Sequence, residues 1–275
     1  MRERYDLAFS MGFGCGCSNA LRRSGLQYAS FPMDWVGVTG VARGAEMIAG
    51  DFAGWLDKDA MELIDVRRDD ENYQRAYRHR KTGFVFTHDF PYEVGFDEAF
   101  ETARRKYDRR IARLTGMIRA SRRVLAVYVE HPIHGRAPDA DLVRARDLLR
   151  ARFPGVTIDL LYFHHRDAAA GDSAAVAEGV TAVACAYRRI DYGLVSHGIE
   201  TDGICRYLSE HVEVADYRTE EERHRFAARG RARSDDRFGR GLSRWIARLQ
   251  YRIYRKLGGD LKRKNIIPRA RPFWF

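Results

Sequence analysis

The hydrophobic pattern of the chain predicts buried strands that alternate with helices. Short apolar runs at Tyr5–Ser10, Arg123–Glu130 and Val156–Phe163 have the length and the composition of buried strands. Because strands that alternate with helices build parallel sheets, we predict an α/β fold, with a mostly parallel sheet and helices on both faces. Further strands are predicted at Thr82–Thr87, Val180–Ala186, Arg189–Leu194 and Val212–Tyr217. Helices are predicted at Ser18–Arg23, Arg43–Ile48, the stretch around Met61, Phe96–Arg119, Asp139–Phe153 and Asp202–His211.

The positive charge of the chain is concentrated near its C-terminus. The net charge is +10, and arginine is dense from Arg218 onward, so we predict an α/β domain over 1–217 and a basic helical tail over 218–275. Within the tail, Arg240–Leu257 has apolar and arginine residues on opposite faces of a helix. This basic amphipathic C-terminal helix either docks on its own domain or lies on an anionic membrane surface.

Composition excludes several classes of protein. No apolar run approaches the ~20 residues that span a bilayer, and the N-terminus has no secretory signal. We therefore expect a cytoplasmic protein that can attach to the inner face of the membrane through its tail. The 4 cysteines are too few for a disulfide scaffold. Cys15 and Cys17 lack the spacing of a zinc-ligand pair, so no metal site and no cofactor are predicted.

A glycine-rich turn follows the first predicted strand. Gly12 and Gly14 permit a tight turn, and Cys15 follows at the start of a helix. A helix N-terminus favours the thiolate, and the N–H groups of the turn can hold an oxyanion. In the alternative interpretation Cys15 is a small buried residue, or Cys17 is the reactive thiol. Glycines in this position can also cradle a phosphate, although the spacing departs from the known fingerprints.

Several histidines follow the predicted strands. His88, His131 and His164 come at strand ends, where side chains share a cleft above a parallel sheet. Asp34 is either a carboxylate that orients a histidine or a helix cap. The candidates for binding a substrate or a phosphate are Ser10, Gly12, Gly14, Arg22, His131 and His164.

These motifs resemble a known bacterial family. Ser10–Cys15, the pair Leu21–Arg22, the block Ser30–Trp35 and the segment Phe86–Phe90 are similar to the family labelled putative papain-like cysteine peptidase. The resemblance is best over roughly the first 90 residues and is loose over Arg123–Glu130. It implies that Cys15 is the nucleophile and His88 the general base, with Asp34, Asp89 or Asp159 as the group that orients the histidine.

Three functions are consistent with the sequence. The first is a cysteine-nucleophile hydrolase or acyl transferase that uses Cys15, His88 and Asp34. The second is a sugar transferase of surface-polysaccharide biosynthesis that takes a phosphorylated or glycan substrate, because the tail could hold it near a lipid-linked acceptor. The third is a non-enzymatic adaptor on a membrane or nucleic acid. No nucleic-acid reader motif is present, so nucleic acid is the partner that we expect least.

Overall fold

The computed structural model describes residues 2–38, 40–69, 72–131, 134–166, 170–187, 189–191, 197–199, 201–218 and 220. The strands are β1 (Glu3–Tyr5), β2 (Leu7–Ser10), β3 (Val36–Gly37), β4 (Met61–Asp69), β5 (Asn72–His79), β6 (Val85–Phe86), β7 (Arg123–Val129), β8 (Thr157–His165), β9 (Ala170–Ala177), β10 (Val180–Cys185), β11 (Arg189–Asp191), β12 (His197–Ile199) and β13 (Val212–Val214). The helices are α1 (Gly14–Arg23), α2 (Val41–Ala49), α3 (Phe96–Ala120), α4 (Asp139–Arg152) and α5 (Asp202–His211), with 3-10 turns at Pro32–Trp35 and Lys58–Ala60.

The main sheet has the strand order β2-β7-β8-β10-β9. The first four strands run parallel, and β9 pairs with β10 in the antiparallel direction. Val124 of β7 lies opposite both Leu7 and Ile158, so the three strands on which the fold prediction depended lie side by side, with β2 at one edge of the sheet. The predicted mostly parallel α/β fold is confirmed.

Helices cover both faces of this sheet because successive strand residues point to opposite sides. Val127 and Val129 of β7 pack in one apolar cluster with residues of α1 and α5. Ala126 and Tyr128 alternate with them and pack in a second cluster with residues of α2, α3 and α4. The near-continuous apolar sequence of β7 is therefore explained by burial on both faces.

The stretch around Met61 is a strand, so the predicted helix there is wrong. It is β4, which pairs along its length with β5 from Met61 opposite His79 to Asp69 opposite Asn72. The β-branched Ile64 and Val66 suit this extended conformation. With β3 and β6 this hairpin forms a second sheet of order β3-β6-β5-β4, which the sequence analysis did not foresee.

Several predicted strands have different ends. The predicted Thr82–Thr87 strand shortens to β6, because Gly83 has a φ of +74° and belongs to the preceding turn. The strand β8 extends to His165, so His164 lies within the end of the strand and does not follow it. The first strand divides at Asp6, whose carboxylate accepts hydrogen bonds from the N–H groups of Arg122 and Arg123.

The predicted tail helix over Arg240–Leu257 lies outside the described residues. Strands β9 and β12 were not predicted, and only the first part of the expected Arg189–Leu194 strand is described, as β11. In the part of the chain that the structure describes, no helix is long and apolar enough to cross a membrane.

Candidate functional site

The turn after β2 stays paired to β7 beyond the end of the strand. The N–H of Met11 donates to the Val127 carbonyl at 2.8 Å, and the N–H of Phe13 donates to the Val129 carbonyl at 3.1 Å. The N–H of Val129 in turn donates to the Gly12 carbonyl at 3.1 Å. The turn is therefore fixed to the carboxyl edge of the main sheet, where parallel sheets commonly hold their sites.

Gly12 is required by both its conformation and its surroundings. Its φ is +124°, in a region that other residues rarely adopt, and the peptide bond to Phe13 is cis. A Cβ atom at Gly12 would lie 3.0 Å from the Val38 Cβ and 3.2 Å from the Tyr128 ring. Ser10 is buried, and its Oγ accepts from the Gly12 N–H at 3.2 Å. Ser10 and Gly12 thus shape the turn from inside.

The structure distinguishes the two cysteines of the turn. Helix α1 begins at Gly14, earlier than the predicted Ser18, so Cys15 lies in its first turn and is partly exposed. Cys17 is fully buried, and its Sγ lies 3.3 Å from the Val127 carbonyl. Burial raises the pKa of the Cys17 thiol to about 12, which keeps it protonated. Of the two thiols, Cys15 is the accessible one.

One face of α1 rests on the 3-10 turn Pro32–Trp35. The Ser18 hydroxyl donates to the Asp34 carbonyl at 2.9 Å, and the Arg22 guanidinium donates to the Asp34 carboxylate at 3.1 Å. Cys15, Ser18 and Arg22 have the spacing of residues on one side of a helix. Cys15 therefore lies on the side of α1 that borders this turn.

His88 borders the same 3-10 turn from the second sheet. Strand β6 pairs with β3 so that Phe86 lies opposite Val36, which directly follows the turn. The chain continues from β6 to His88, whose ring lies with its centroid 6.0 Å from that of Trp35. Cys15 and His88 thus reach the Pro32–Trp35 turn from different elements.

The Asp34 carboxylate is an anchor of this region. It is fully buried, and its Oδ2 accepts from the Phe31 N–H at 2.8 Å, from the Gln27 amide at 2.7 Å and from Arg22. The hydrogen bond from the Phe31 N–H to Asp34 caps the 3-10 turn, and capping is one of the two roles predicted for Asp34. Burial raises the pKa of the Asp34 carboxyl, and the three donors oppose that rise.

A second polar cluster lies at the end of β7. The Glu130 carboxylate is buried; its Oε1 accepts from the His131 N–H at 3.0 Å and lies 3.2 Å from His134 Nδ1. Its Oε2 accepts from the Tyr162 hydroxyl at 3.2 Å. The ring of Phe13, from the glycine-rich turn, meets the His131 ring edge-on with centroids 4.6 Å apart. This cluster therefore adjoins the turn that carries Cys15.

Part of the chain matches a known protein family. Residues 6–137 match a family described as "Putative papain-like cysteine peptidase". Over these residues, which are just under half of the chain, the chain is similar to that family. The searches of curated proteins and of solved structures find no match.

The segment of the chain that matches this family contains nearly all of the predicted site residues. They are Ser10, Gly12, Gly14, Cys15, Arg22, Asp34, His88 and His131. His164 lies outside it, on β8, where its ring stacks on that of Tyr162 with centroids 6.0 Å apart. Burial and the nearby Arg136 lower the pKa of His164. His164 therefore adjoins Tyr162, a member of the Glu130 cluster.

Glu130 and His134 are the polar residues that the sequence analysis missed. A carboxylate directly after a buried strand, with histidines one and four residues later, was the available signal. Their partner Tyr162 comes from another strand, which the sequence does not place beside them. Among the described residues, no group of His, Cys, Asp and Glu has the geometry to hold a metal ion.

Proposed function

We propose that this chain is a cysteine hydrolase or acyl transferase whose nucleophile is Cys15. The observation that carries the proposal is the position of Cys15. It is partly exposed in the first turn of α1, directly after a strand of the parallel sheet, within a segment similar to a cysteine peptidase family. The neighbouring thiol of Cys17 is buried and protonated, so it does not compete.

The first turn of α1 suits the stabilisation of negative charge. It contains no acidic residue, and the side chain of its N-cap residue, Phe13, makes no capping hydrogen bond. The N–H groups at a helix N-terminus carry a positive partial charge. In the proposed mechanism they stabilise the thiolate first and then the oxyanion of the tetrahedral intermediate.

The proposed reaction passes through an acyl-enzyme. His88 accepts the proton of the Cys15 thiol, and the sulfur attacks the carbonyl carbon of the substrate to form a C–S bond. When the intermediate collapses, the bond to the leaving group breaks and His88 returns the proton to that group. Asp34 contributes by holding the Pro32–Trp35 turn between the two, through the contacts described above.

The two other functions stay predictions. Binding to an anionic membrane depends on the tail helix at Arg240–Leu257, which lies outside the described residues. A role in polysaccharide biosynthesis with a phosphorylated or glycan substrate depends on that tail as well. A cysteine enzyme that acts on a glycan-linked acyl group would satisfy both the proposed chemistry and that prediction.

Alkylation by iodoacetamide tests the nucleophile. We expect Cys15 to react at neutral pH about tenfold faster than Cys205, because Cys15 is the second residue of a helix whose first turn has no acidic residue, whereas Cys205 is the fourth residue of α5, whose first turn contains Asp202. Cys205 is the matched control, since it is also a partly exposed free thiol on a helix. Peptide mass spectrometry follows each cysteine separately, and Cys17 should stay unmodified in the folded protein.

The variant His88→Gln tests the base in the same experiment. It should slow the alkylation of Cys15 at neutral pH and leave that of Cys205 unchanged. If Cys15 reacts no faster than Cys205 in the wild-type protein, Cys15 is a structural residue and the proposed function is wrong. If Cys15 is fast and His88→Gln changes nothing, only the assignment of the base is wrong.

A further inference from the structure

A buried carboxylate and a half-exposed imidazole meet at the end of β7. The side chain of Glu130 is 5% exposed and that of His134 is 38% exposed, with 3.2 Å between Glu130 Oε1 and His134 Nδ1. The carboxylate is thus shielded from water while the imidazole borders solvent. Carboxylate–histidine pairs of this kind set the orientation of a catalytic imidazole.

The remaining contacts of Glu130 fix the position of its carboxylate. The Tyr162 hydroxyl accepts from the Ala137 N–H at 2.8 Å, so its own proton is available for Glu130 Oε2. The Tyr187 hydroxyl donates to the Glu130 main-chain carbonyl at 2.5 Å. Both ends of the residue are therefore tied to neighbouring elements, namely β8 through Tyr162 and the segment just after β10 through Tyr187, which makes Glu130 a rigid support for His134.

The contact with Glu130 also determines which nitrogen of His134 can act. A neutral imidazole whose Nδ1–H donates to a carboxylate has its lone pair on Nε2. That nitrogen can accept a proton from a solvent molecule. His134 is therefore held in the tautomer of a general base.

The Glu130–His134 pair is connected to the glycine-rich turn through His131. The His131 ring contacts both the Phe13 ring and the His134 ring, with centroid distances of 4.6 Å and 5.5 Å. His88, by contrast, borders the Pro32–Trp35 turn from the other sheet. His131 thus links the Glu130–His134 pair to Phe13, the N-cap residue of the helix that carries Cys15.

We propose that Glu130 and His134 form a second proton-transfer pair of this site, which activates the water or acceptor that resolves the acyl-enzyme. The inference rests on the proposed role of Cys15. His134 Nε2 takes a proton from the incoming water or hydroxyl, whose oxygen bonds to the acyl carbon. The C–S bond then breaks, the electron pair stays on the Cys15 sulfur, and the imidazolium returns its proton to that sulfur. Glu130 is the positioning residue.

The lifetime of an acetyl group on Cys15 tests this step. The protein is acetylated briefly with p-nitrophenyl acetate, the reagent is removed, and the acetyl group on each cysteine is followed by mass spectrometry. We expect His134→Gln and Glu130→Gln to lengthen the lifetime on Cys15 at least tenfold, since general bases contribute about 10²–10⁴-fold. The rate at which Cys15 becomes acetylated should change much less.

The variant His211→Gln is the matched control. Its imidazole Nδ1 is also held by an acceptor, the Tyr207 carbonyl at 2.9 Å, but it lies at the end of α5. In this variant the acetyl group on Cys15 should have the same lifetime as in the wild type. Equal lifetimes in His134→Gln and the wild type would overturn the proposal. If Cys15 is not acetylated faster than Cys205, the proposed function fails and this step fails with it.

The tautomer of His134 is a readout that does not depend on Cys15. Nitrogen-15 chemical shifts should place the proton of the neutral ring on Nδ1 in the wild type, and Glu130→Ala should move it toward Nε2. The milder Glu130→Gln serves if the alanine variant does not fold, and it should weaken the preference for Nδ1. An unchanged tautomer in a folded Glu130 variant would show that Glu130 does not position the ring.

Discussion

Asp34 is a buried carboxylate beside α1 and Glu130 is a buried carboxylate beside the glycine-rich turn, and their hydrogen-bond donors differ. Asp34 accepts from the Arg22 guanidinium, the Gln27 amide and a main-chain N–H, each of which acts only as a hydrogen-bond donor to it. Glu130 accepts from a tyrosine hydroxyl and a main-chain N–H and contacts the imidazole of His134. The partners of Asp34 are donors that fix its position, whereas those of Glu130 include an imidazole, a group that can both accept and donate a proton.

This difference separates two roles that the sequence could not distinguish. A carboxylate near a cysteine and a histidine suggests a catalytic third member, and Asp34 met that description. Its partners show that it fixes the Pro32–Trp35 turn on α1. Glu130 has the partner that a positioning carboxylate needs. Substitution of Asp34 should therefore cost stability, and substitution of Glu130 should cost turnover.

The largest expected effect comes from the matched amide variants of these two carboxylates. Asp34→Asn should lower the free energy of unfolding by about 3–5 kcal/mol, because it removes the buried negative partner of Arg22. Glu130→Gln should lower it by only about 1–2 kcal/mol, because neutral hydrogen bonds are weaker. Urea denaturation monitored by circular dichroism measures both.

The exposed Asp57 provides the control for this pair. Its carboxylate lies 2.7 Å from Lys81 Nζ at the surface, and Asp57→Asn should leave stability unchanged within error. If Glu130→Gln destabilises the protein as much as Asp34→Asn, both carboxylates are structural anchors. The distinction between them would then be wrong.

The sequence predicted the parallel strands of the main sheet with ends shifted by a residue or two, and it placed the start of α1 too late. Gly14 and Gly16 are poor helix formers, so the helix was expected to begin at Ser18. Tertiary packing overrides that preference, since Gly16 and Cys17 are buried within α1. Because α1 begins at Gly14, Cys15 is partly exposed and Cys17 is buried in the core, and the sequence alone could not decide this.

The polar cluster at the end of β7 was beyond sequence analysis for a different reason. Glu130 was visible as the end of a buried strand, but its partners Tyr162 and Tyr187 come from distant parts of the chain. Of the second sheet, only β6 lies within a predicted strand; β4 lies where a helix was predicted, and β3 and β5 were not predicted. The two residues of β3 are too few to give a periodic signal.

A smaller effect is expected at Gly12, which shapes the turn that leads to Cys15. Gly12→Ala should cost about 1–3 kcal/mol of stability, because alanine is strained at a positive φ. The added Cβ would also press on Val38 and Tyr128, as the distances above show. Since the turn positions Cys15, the variant should also slow its alkylation.

Gly116 offers a control of opposite sign. It lies within α3, and a Cβ there would meet nothing within 4 Å. Gly116→Ala should stabilise the protein by about 0.5–1 kcal/mol, the usual gain of alanine over glycine in a helix. A Gly12→Ala variant as stable as the wild type would mean that the turn adapts, and Cys15 would not be held rigidly.

The contrast between Cys15 and Cys17 predicts a pH dependence of stability. The Cys17 thiol has a pKa of about 12 in the folded protein, against about 8.5 in an unfolded chain. Between these values the unfolded state releases the proton and the folded state keeps it, so stability falls as the pH rises. The slope from this one group approaches about 1.4 kcal/mol per pH unit.

The variant Cys17→Ala isolates that contribution. It removes the thiol, so the loss of stability between about pH 8 and about pH 10 should shrink by nearly 2 kcal/mol relative to the wild type. Buried tyrosines add their own alkaline dependence, but they are present in both proteins and cancel in the comparison. Cys15→Ala should retain the wild-type dependence, because Cys17 is still present. If the free energy of unfolding depends on pH equally in Cys17→Ala and the wild type, Cys17 ionises in the folded protein. Cys17 would then compete with Cys15 as a nucleophile.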